Sequence, residues 1–141
     1  MQSRNHTYTE KLTNPLQLDA MQDVIALGRT LQHAWQLDQS IYICGNGGNA
    51  IHLAHDFYTV LVKKRETCMR VVALSANSAV ITCLANDISY DQIYAEQLKV
   101  KANAGDVLIV LSRSGNSPKL KMGNFLGTHI FAILAYSGWK F

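Results

Sequence analysis

The 141-residue chain lacks paired cysteines, long apolar runs and an excess of charge, and each absence excludes a class of protein. Cys44, Cys68 and Cys83 are odd in number and far apart, and none belongs to a CxxC pair. This usage predicts a reducing compartment, with the thiols buried as small hydrophobic side chains. No stretch approaches the ~18 apolar residues of a membrane span. The polar N-terminus has no apolar core of a signal peptide. We therefore predict a cytoplasmic protein with no membrane partner.

Charged residues are few and neither sign is in large excess, since 16% of the residues are charged and the formal net charge is +3. The single basic cluster, Lys63 to Arg65, is interpreted as a solvated helix end, where cations suit the helix dipole. No aromatic residues interleave with it, so we predict no nucleic-acid partner. A 48% hydrophobic content and a mean hydropathy near zero (+0.01) indicate one globular domain over residues 1–141.

Strand patterns and helix patterns alternate along the chain. We predict strands over 41–44, 69–74, 106–111 and 129–135. We predict helices from Asn14-Pro15 to about Trp35, over 49–62, 78–85 and 90–100, and in a short stretch after Pro118. Such alternation predicts an α/β fold with three layers, doubly wound around a mostly parallel sheet. Residues 1–38 would form an N-terminal helical segment, and residues 39–141 the α/β core.

The first predicted helix and the end of the chain both suggest self-association. Leu18, Met21, Val24, Ile25, Leu31 and Trp35 recur at helical spacing and predict an apolar stripe. No covering helix follows the last predicted strand, so part of the sheet would be left uncovered. We therefore expect the fold to be shortened at its C-terminus and to need a partner subunit.

Two loops rich in glycine and serine carry the functional signal. Gly45-Asn46-Gly47-Gly48-Asn49 follows the first predicted strand, and Ser112-Arg113-Ser114-Gly115-Asn116-Ser117-Pro118 follows the third. In an open α/β sheet, ligands bind outside the carboxyl ends of the strands. Glycines let the backbone come close to a ligand, while hydroxyls and the amides of a following helix start favour an anion. The two loops therefore predict a phosphate-binding crevice.

Two kinds of nucleotide-binding motif fit the sequence less well. Residues 45–50 match the pattern G-x-G-x-x-A of dinucleotide-binding proteins, which need an acidic residue at the end of the second strand. That strand ends in Leu74-Ser75-Ala76-Asn77, without a carboxylate. The serine-rich loop has no Gly-Lys-Ser/Thr ending, so it is not a P-loop.

Four short segments together resemble a known family, and they occur in order along the chain. They are Gly45-Asn46-Gly47-Gly48-Asn49-Ala50, Ala73-Leu74-Ser75 with Ala85-Asn86-Asp87, Ala104-Gly105-Asp106-Val107-Leu108-Ile109, and Ser114-Gly115-Asn116-Ser117-Pro118. They look like the consecutive landmarks of the sugar isomerase (SIS) domain, and within that superfamily they are most similar to the phosphoheptose isomerases. The resemblance runs from the first long helix to the end of the chain. It implies a flavodoxin-like SIS fold, a sugar phosphate as ligand, and a homodimer or homotetramer.

The resemblance assigns binding roles residue by residue. It implies that Ser112, Ser114, Asn116 and Ser117 hold the phosphate. It implies that the first loop packs against the sugar chain through Asn46, Gly47, Gly48 and Asn49, although Asn49 replaces the family's usual serine. Arg113 stands where the family usually has a small hydroxyl residue, so it either contacts the phosphate or points to solvent.

The implied catalytic set is incomplete. His55 matches the family's histidine on the helix after the first loop, but Thr59 stands at the position of its glutamate, four residues later. The resemblance places the remaining catalytic groups on a C-terminal helix that the 141 residues do not include. His52, His55 and Asp56 could face one metal ion, but two imidazoles fall short of a zinc site, so we predict no metal and keep zinc as an option implied by the family.

Three functions stay open. The first is a phosphosugar-binding protein whose catalysis is weak or lost. The second is a ketose–aldose isomerase acting on sedoheptulose 7-phosphate or a related sugar phosphate, with its site completed across subunits. The third is a regulatory protein-interaction module.

Overall fold

The computed structural model describes residues 18–64, 68–112 and 117–120, and these form alternating strands and helices. In chain order the elements are α1 (Leu18–Gln36), β1 (Ser40–Gly45), α2 (Asn49–Lys64), β2 (Arg70–Ala73), α3 (Ser78–Asp87), α4 (Ile93–Lys101) and β3 (Val107–Leu111). Two short 3-10 helices, Tyr90–Gln92 and Pro118–Leu120, precede α4 and follow β3.

The three strands form one parallel sheet in the order β2-β1-β3. Ile41 of β1 lies opposite Val71 of β2 and Val107 of β3. Because the strands are parallel, all three end on the same side of the sheet, which we call the carboxyl edge. Gly45, Ala73 and Leu111 are the last strand residues at this edge.

Two separate cores cover the two faces of the sheet. Ile41, Ile43, Val107 and Ile109 pack on one face with residues of α1 and α2. On the other face, alternate strand residues such as Tyr42 and Leu108 pack with α3 and α4. This period of two, with helices on both faces, gives the three layers predicted from the sequence. A sheet buried on both faces needs strands that are apolar throughout, which explains the continuous apolar runs of β1 and β3.

The predicted elements are confirmed within the described residues, with small shifts at their ends. The predicted helix over 90–100 divides into the 3-10 turn Tyr90–Gln92 and the helix Ile93–Lys101. Lys63 and Lys64 lie in the last turn of α2, in agreement with the predicted helix end. The predicted start of the first helix at Asn14-Pro15, the strand over 129–135 and the uncovered part of the sheet lie outside the described residues.

Burial differs between the two halves of α1 and between the three cysteines, and the second difference makes the predicted burial of the thiols wrong in part. Leu31 and Ala34 of α1 are buried, but Val24 is 59% exposed and Ile25 is 50% exposed. Among the described side chains of α1, those that pack against the sheet therefore lie in its C-terminal half. Of the three thiols, Cys44 is buried in β1, whereas Cys68 and Cys83 are exposed.

Among the described helices, none combines the length and the apolar character that a membrane crossing requires.

Gly45 makes the closest approach between strands. A Cβ atom built on Gly45 would lie 2.8 Å from the carbonyl oxygen of Leu111 and 3.0 Å from its Cβ. Both atoms belong to the paired strand, so neither can move without opening the sheet. Glycine is therefore required where β1 meets the first loop.

We expect Gly45→Ala to lower the free energy of unfolding by about 1–3 kcal/mol, the usual cost of forcing an extra carbon into a packed interior. Gly28→Ala is the matched control, because Gly28 lies on the exposed side of α1 with no atom within 4 Å of the added carbon. There the same substitution should raise stability by about 1 kcal/mol through helix propensity alone. Urea unfolding of both variants measures the difference, and an equal effect at the two positions would contradict the close approach at Gly45.

Candidate functional site

The two predicted loops begin at neighbouring strands of the carboxyl edge. Gly45 and Leu111 lie opposite each other as the last residues of neighbouring strands. The chain therefore enters the first loop at Asn46 and the second loop at Ser112 from points roughly 5 Å apart, the usual spacing of paired strands. A crevice between loops that leave adjacent strands is where α/β sheets bind ligands.

The first loop is a tight, exposed connection from β1 to α2. Asn46, Gly47, Gly48 and Asn49 are all exposed. Gly47 has a φ of +73°, a left-handed conformation that side chains with a Cβ rarely adopt. The carbonyl of Gly48 accepts the first helical hydrogen bond from the amide of His52, at 3.0 Å. The amides of the first turn of α2 precede that bond and have no carbonyl partner within the helix.

The second loop is described only at its two ends. Ser112 is buried at the end of β3, and Ser117 is partly buried. The carbonyl of Ser117 accepts a hydrogen bond from the amide of Leu120, at 2.9 Å, which closes the 3-10 turn. Arg113, Ser114 and Asn116 lie outside the described residues, so their assigned roles stay predictions.

Helix α4 holds the carboxyl edge in place through two side chains one turn apart. The hydroxyl of Tyr94 donates a hydrogen bond to the carbonyl of Gly45 at 2.8 Å. The amide nitrogen of Gln97 donates to the carbonyl of Leu74 at 3.1 Å. Burial raises the pKa of Tyr94 to about 12, so its hydroxyl keeps the proton that it donates. The sequence predicts Tyr94 as a packing residue, and the structure adds that it anchors the start of the first loop.

A buried lysine and an unpaired hydroxyl also lie near this edge. Lys119 is only 7% exposed, and its ammonium group donates a hydrogen bond to the hydroxyl of Tyr90. Its Nζ lies 4.1 Å from the centroid of the Tyr90 ring and 5.9 Å from that of the Tyr94 ring. Ser75 follows β2, and its Oγ is buried with no hydrogen-bond partner in the described part of the chain.

The thiol next to the first loop is unreactive. Cys44 is the penultimate residue of β1, and burial raises its pKa to about 12. A thiol is a nucleophile or a metal ligand only as the thiolate. Cys44 is therefore a packing residue, in agreement with the sequence prediction for this cysteine.

His55 lies on an exposed face of α2, about 9 Å along the helix axis from its start at the usual rise per residue. Its ring stacks against His52 with the centroids 6.3 Å apart. Its Nδ1 lies 3.5 Å from a carboxylate oxygen of Asp56. One turn later, the hydroxyl of Thr59 donates to the backbone carbonyl of His55 at 3.0 Å. The Thr59 side chain is thus bonded to its own helix and offers no acid or base beside His55.

The donor set on α2 only partly fits a metal ion. One ligand atom from each of His52, His55 and Asp56 lies within 4.8 Å of the others, and all three residues are exposed. Zinc takes three protein ligands in open catalytic sites and four in structural ones. These three come from a single helix turn, and the described residues add no fourth donor to the group. The predicted absence of a metal stays a prediction.

The described residues also form a cavity near the start of β3, at the edge of the sheet opposite the carboxyl edge. It has a volume of about 510 Å³ and is lined by Arg29, Thr30, His33, Gln39, Gly105 and Val107. None of the described residues of the two predicted loops lines it. We favour the carboxyl edge as the ligand site, because the loops of an α/β sheet that bind ligands follow the carboxyl ends of its strands.

Parallel strands with helices on both faces define a three-layer α/β protein, and two polar loops that start at one edge mark its candidate ligand site. The sequence profile of the SIS domain matches residues 7–121. A phosphoheptose isomerase of Halorhodospira halophila is 35% identical over 98 residues, which are 67% of this chain and 49% of that protein. The DnaA initiator-associating protein DiaA of Citrobacter koseri is 33% identical over 138 residues, 94% of this chain and 70% of that protein. The chain belongs to the SIS domain family, and the resemblance predicted from its sequence is confirmed.

Two solved structures of phosphoheptose isomerases share the fold. Phosphoheptose isomerase from Neisseria gonorrhoeae superposes with a TM-score of 0.74 at 22% identity, covering 98% of this chain and 74% of that one. The enzyme from Francisella tularensis gives a TM-score of 0.78 at 19% identity, covering 98% and 75%. The chain spans about half the length of the phosphoheptose isomerases of Halorhodospira halophila and Colwellia psychrerythraea, 49% and 51%.

Proposed function

We propose that the chain binds a phosphorylated ketose in the crevice at the carboxyl edge. The observation that carries this proposal is the pairing of Gly45 with Leu111, which makes both loops leave adjacent strands at one edge. Membership of the SIS domain family supports a sugar phosphate as the ligand. Ser112, Ser114, Asn116 and Ser117 would hold the phosphate, with Arg113 beside them, and Asn46 to Asn49 would contact the sugar.

Catalysis by this chain would be weak or absent. Moving a proton between the adjacent carbons of a ketose and an aldose needs a positioned base and an acid. His55 is the proposed catalytic residue, but Thr59 supplies no carboxylate next to it. The alternative is an active isomerase on sedoheptulose 7-phosphate that completes its site with groups from a neighbouring subunit. The phosphoheptose isomerases among its relatives support that alternative.

The proposed assembly is a homodimer or homotetramer in the cytoplasm. The exposed apolar side chains Val24 and Ile25 on α1 support self-association, because such residues are stabilised when another surface covers them. Sedimentation at tens of micromolar should detect the assembly, and a monomer at that concentration would count against a site shared between subunits.

A regulatory role is the second candidate. The relatives that cover 94% of this chain are named DnaA initiator-associating proteins, and 70% of their length is matched. A role in contacting another protein would use the same fold without any need for catalysis.

Ligand-observed NMR against a panel of phosphorylated ketoses and aldoses tests the proposal. We expect at least one ketose phosphate to bind, and its unphosphorylated sugar to bind much more weakly. If no sugar phosphate binds at millimolar concentration while the chain captures an initiator protein, the regulatory candidate would replace the first.

A further inference from the structure

We propose that the buried ammonium group of Lys119 provides the positive charge that recognises the phosphate in the crevice. This inference rests on the proposed function and adds a specificity residue to it. Apart from Arg113, whose two orientations stay open, the family resemblance points to hydroxyls and backbone amides, which are neutral donors. Lys119 would give the site a full charge.

The first argument is position. Lys119 lies two residues after Ser117, at the end of the second loop. Its Nζ faces the rings of Tyr90 and Tyr94. Tyr94 in turn donates its hydroxyl proton to the carbonyl of Gly45, where the first loop begins. The ammonium group also acts on Cys44, the neighbour of Gly45 in β1. Burial raises the pKa of the Cys44 thiol, and the charge of Lys119 lowers it. The ammonium group therefore lies in the turn that follows the second loop, over the ring of the tyrosine whose hydroxyl contacts the start of the first loop.

The second argument is that the charge is buried without an anion among the residues that the structure describes. No carboxylate of the described residues lies within ion-pair distance of Lys119, and its one hydrogen-bond acceptor among them is the hydroxyl of Tyr90. An ammonium group has three donors, and a buried charge is costly unless it is paired. Two aromatic faces compensate a cation only in part. A phosphate would provide the missing negative charge.

The third argument is the distribution of charge along the sequence. No aspartate or glutamate occurs between Asp38 and Asp56, the stretch that contains the first loop, and none follows Asp106. The stretch after Asp106 contains four cations, Arg113, Lys119, Lys121 and Lys140. The first stretch thus has neither Asp, Glu, Lys nor Arg, and the second has cations and no anionic side chain. Such an arrangement favours a dianionic ligand over a neutral sugar.

The test compares Lys119→Met with Lys119→Arg in the full chain. Sedoheptulose 7-phosphate, inorganic phosphate and unphosphorylated sedoheptulose serve as probes in calorimetric or NMR titrations. We expect Lys119→Met to weaken binding of the sugar phosphate roughly ten- to hundredfold, the size of one lost charge-assisted hydrogen bond. Inorganic phosphate should lose affinity in the same direction, and the unphosphorylated sugar should not respond. Lys119→Arg, which keeps the charge, should restore most of the affinity.

A pH series separates a direct charge contact from a merely structural role. The second ionisation of a phosphate monoester falls near pH ~6. Affinity of the unmodified chain should therefore rise between about pH 5 and 7.5 as the ligand becomes dianionic, and this rise should shrink in Lys119→Met. Lys99→Met is the matched control, because Lys99 is an exposed lysine on α4 whose ammonium group pairs with Glu96, and its loss should change neither the affinity nor the pH profile. If methionine at position 119 does not fold, Lys119→Gln takes its place, since it can still donate to Tyr90.

Unchanged affinity and an unchanged pH profile in a folded Lys119→Met variant would overturn the inference while leaving the proposed function intact. Failure of the unmodified chain to bind any of the phosphorylated probes would instead overturn the proposed function, and this inference with it.

Discussion

Replacing Ser114 and Ser117 together by alanine is expected to lower the affinity for a sugar phosphate by roughly 10²- to 10⁴-fold. Each hydroxyl removed is one hydrogen bond to a charged oxygen, which contributes about 1.5–3 kcal/mol, and each 1.4 kcal/mol is about tenfold in the dissociation constant. The role of Ser114 rests on the family pattern. Ser117 lies at the described end of the second loop, next to the 3-10 turn that contains Lys119.

Thr30→Ala is a suitable control for the double variant. Thr30 is on α1, lines the cavity at the edge of the sheet opposite the carboxyl edge, and donates its hydroxyl proton to the carbonyl of Ala26. Removing that hydroxyl should leave sugar-phosphate affinity unchanged. Wild-type affinity in the serine double variant would remove the second loop from the phosphate site.

Isomerase activity on sedoheptulose 7-phosphate is expected to be undetectable or very low in the unmodified chain. One general acid–base group typically contributes 10²- to 10⁴-fold to a rate, and the position that carries the family's carboxylate is Thr59. The Thr59 hydroxyl donates to the helix backbone at His55 and is not available for proton transfer from carbon. Thr59→Glu would place a carboxylate one turn from His55, on the same face of α2.

We expect Thr59→Glu to raise turnover by 10²- to 10⁴-fold where the rest of the site is assembled, and to have no effect where it is not. Thr59→Gln is the control, because it has nearly the same shape but no carboxylate. Coupled assays of the aldose product measure both variants. Robust turnover by the unmodified chain, abolished by His55→Ala, would contradict the binding function and support the isomerase.

The sequence predicts the fold well because the patterns that indicate strands, helices and turns are local and recur along the chain. Ile41 and Ile43 alternate with Tyr42 and Cys44, and both sets are apolar, as a strand buried on two faces requires. Glycines at positions 45 and 47 mark the turn from β1 into α2, and the structure explains each by a close approach or a positive φ.

The contacts that build the carboxyl edge are not visible in the sequence. Tyr94 meets Gly45 across 49 residues, and Gln97 meets Leu74 across 23, so neither pair leaves a local pattern. Tyr90 and Tyr94 share helical spacing, which predicts packing equally for both, yet Tyr90 is exposed beside the ammonium group of Lys119. The half-exposed stripe of α1 has a similar cause: periodicity shows that a face is apolar, but not what covers it.

The most direct test of the central claim is an amide NMR titration of the isotope-labelled chain with sedoheptulose 7-phosphate. The account predicts that the amides of Gly47, Gly48, Asn49, Ser112 and Ser117 shift together with one dissociation constant. It also predicts that residues of the opposite cavity, such as Arg29, His33 and Gly105, do not respond. Shifts confined to that cavity, or the same shifts with unphosphorylated sedoheptulose, would contradict a phosphate site at the carboxyl edge.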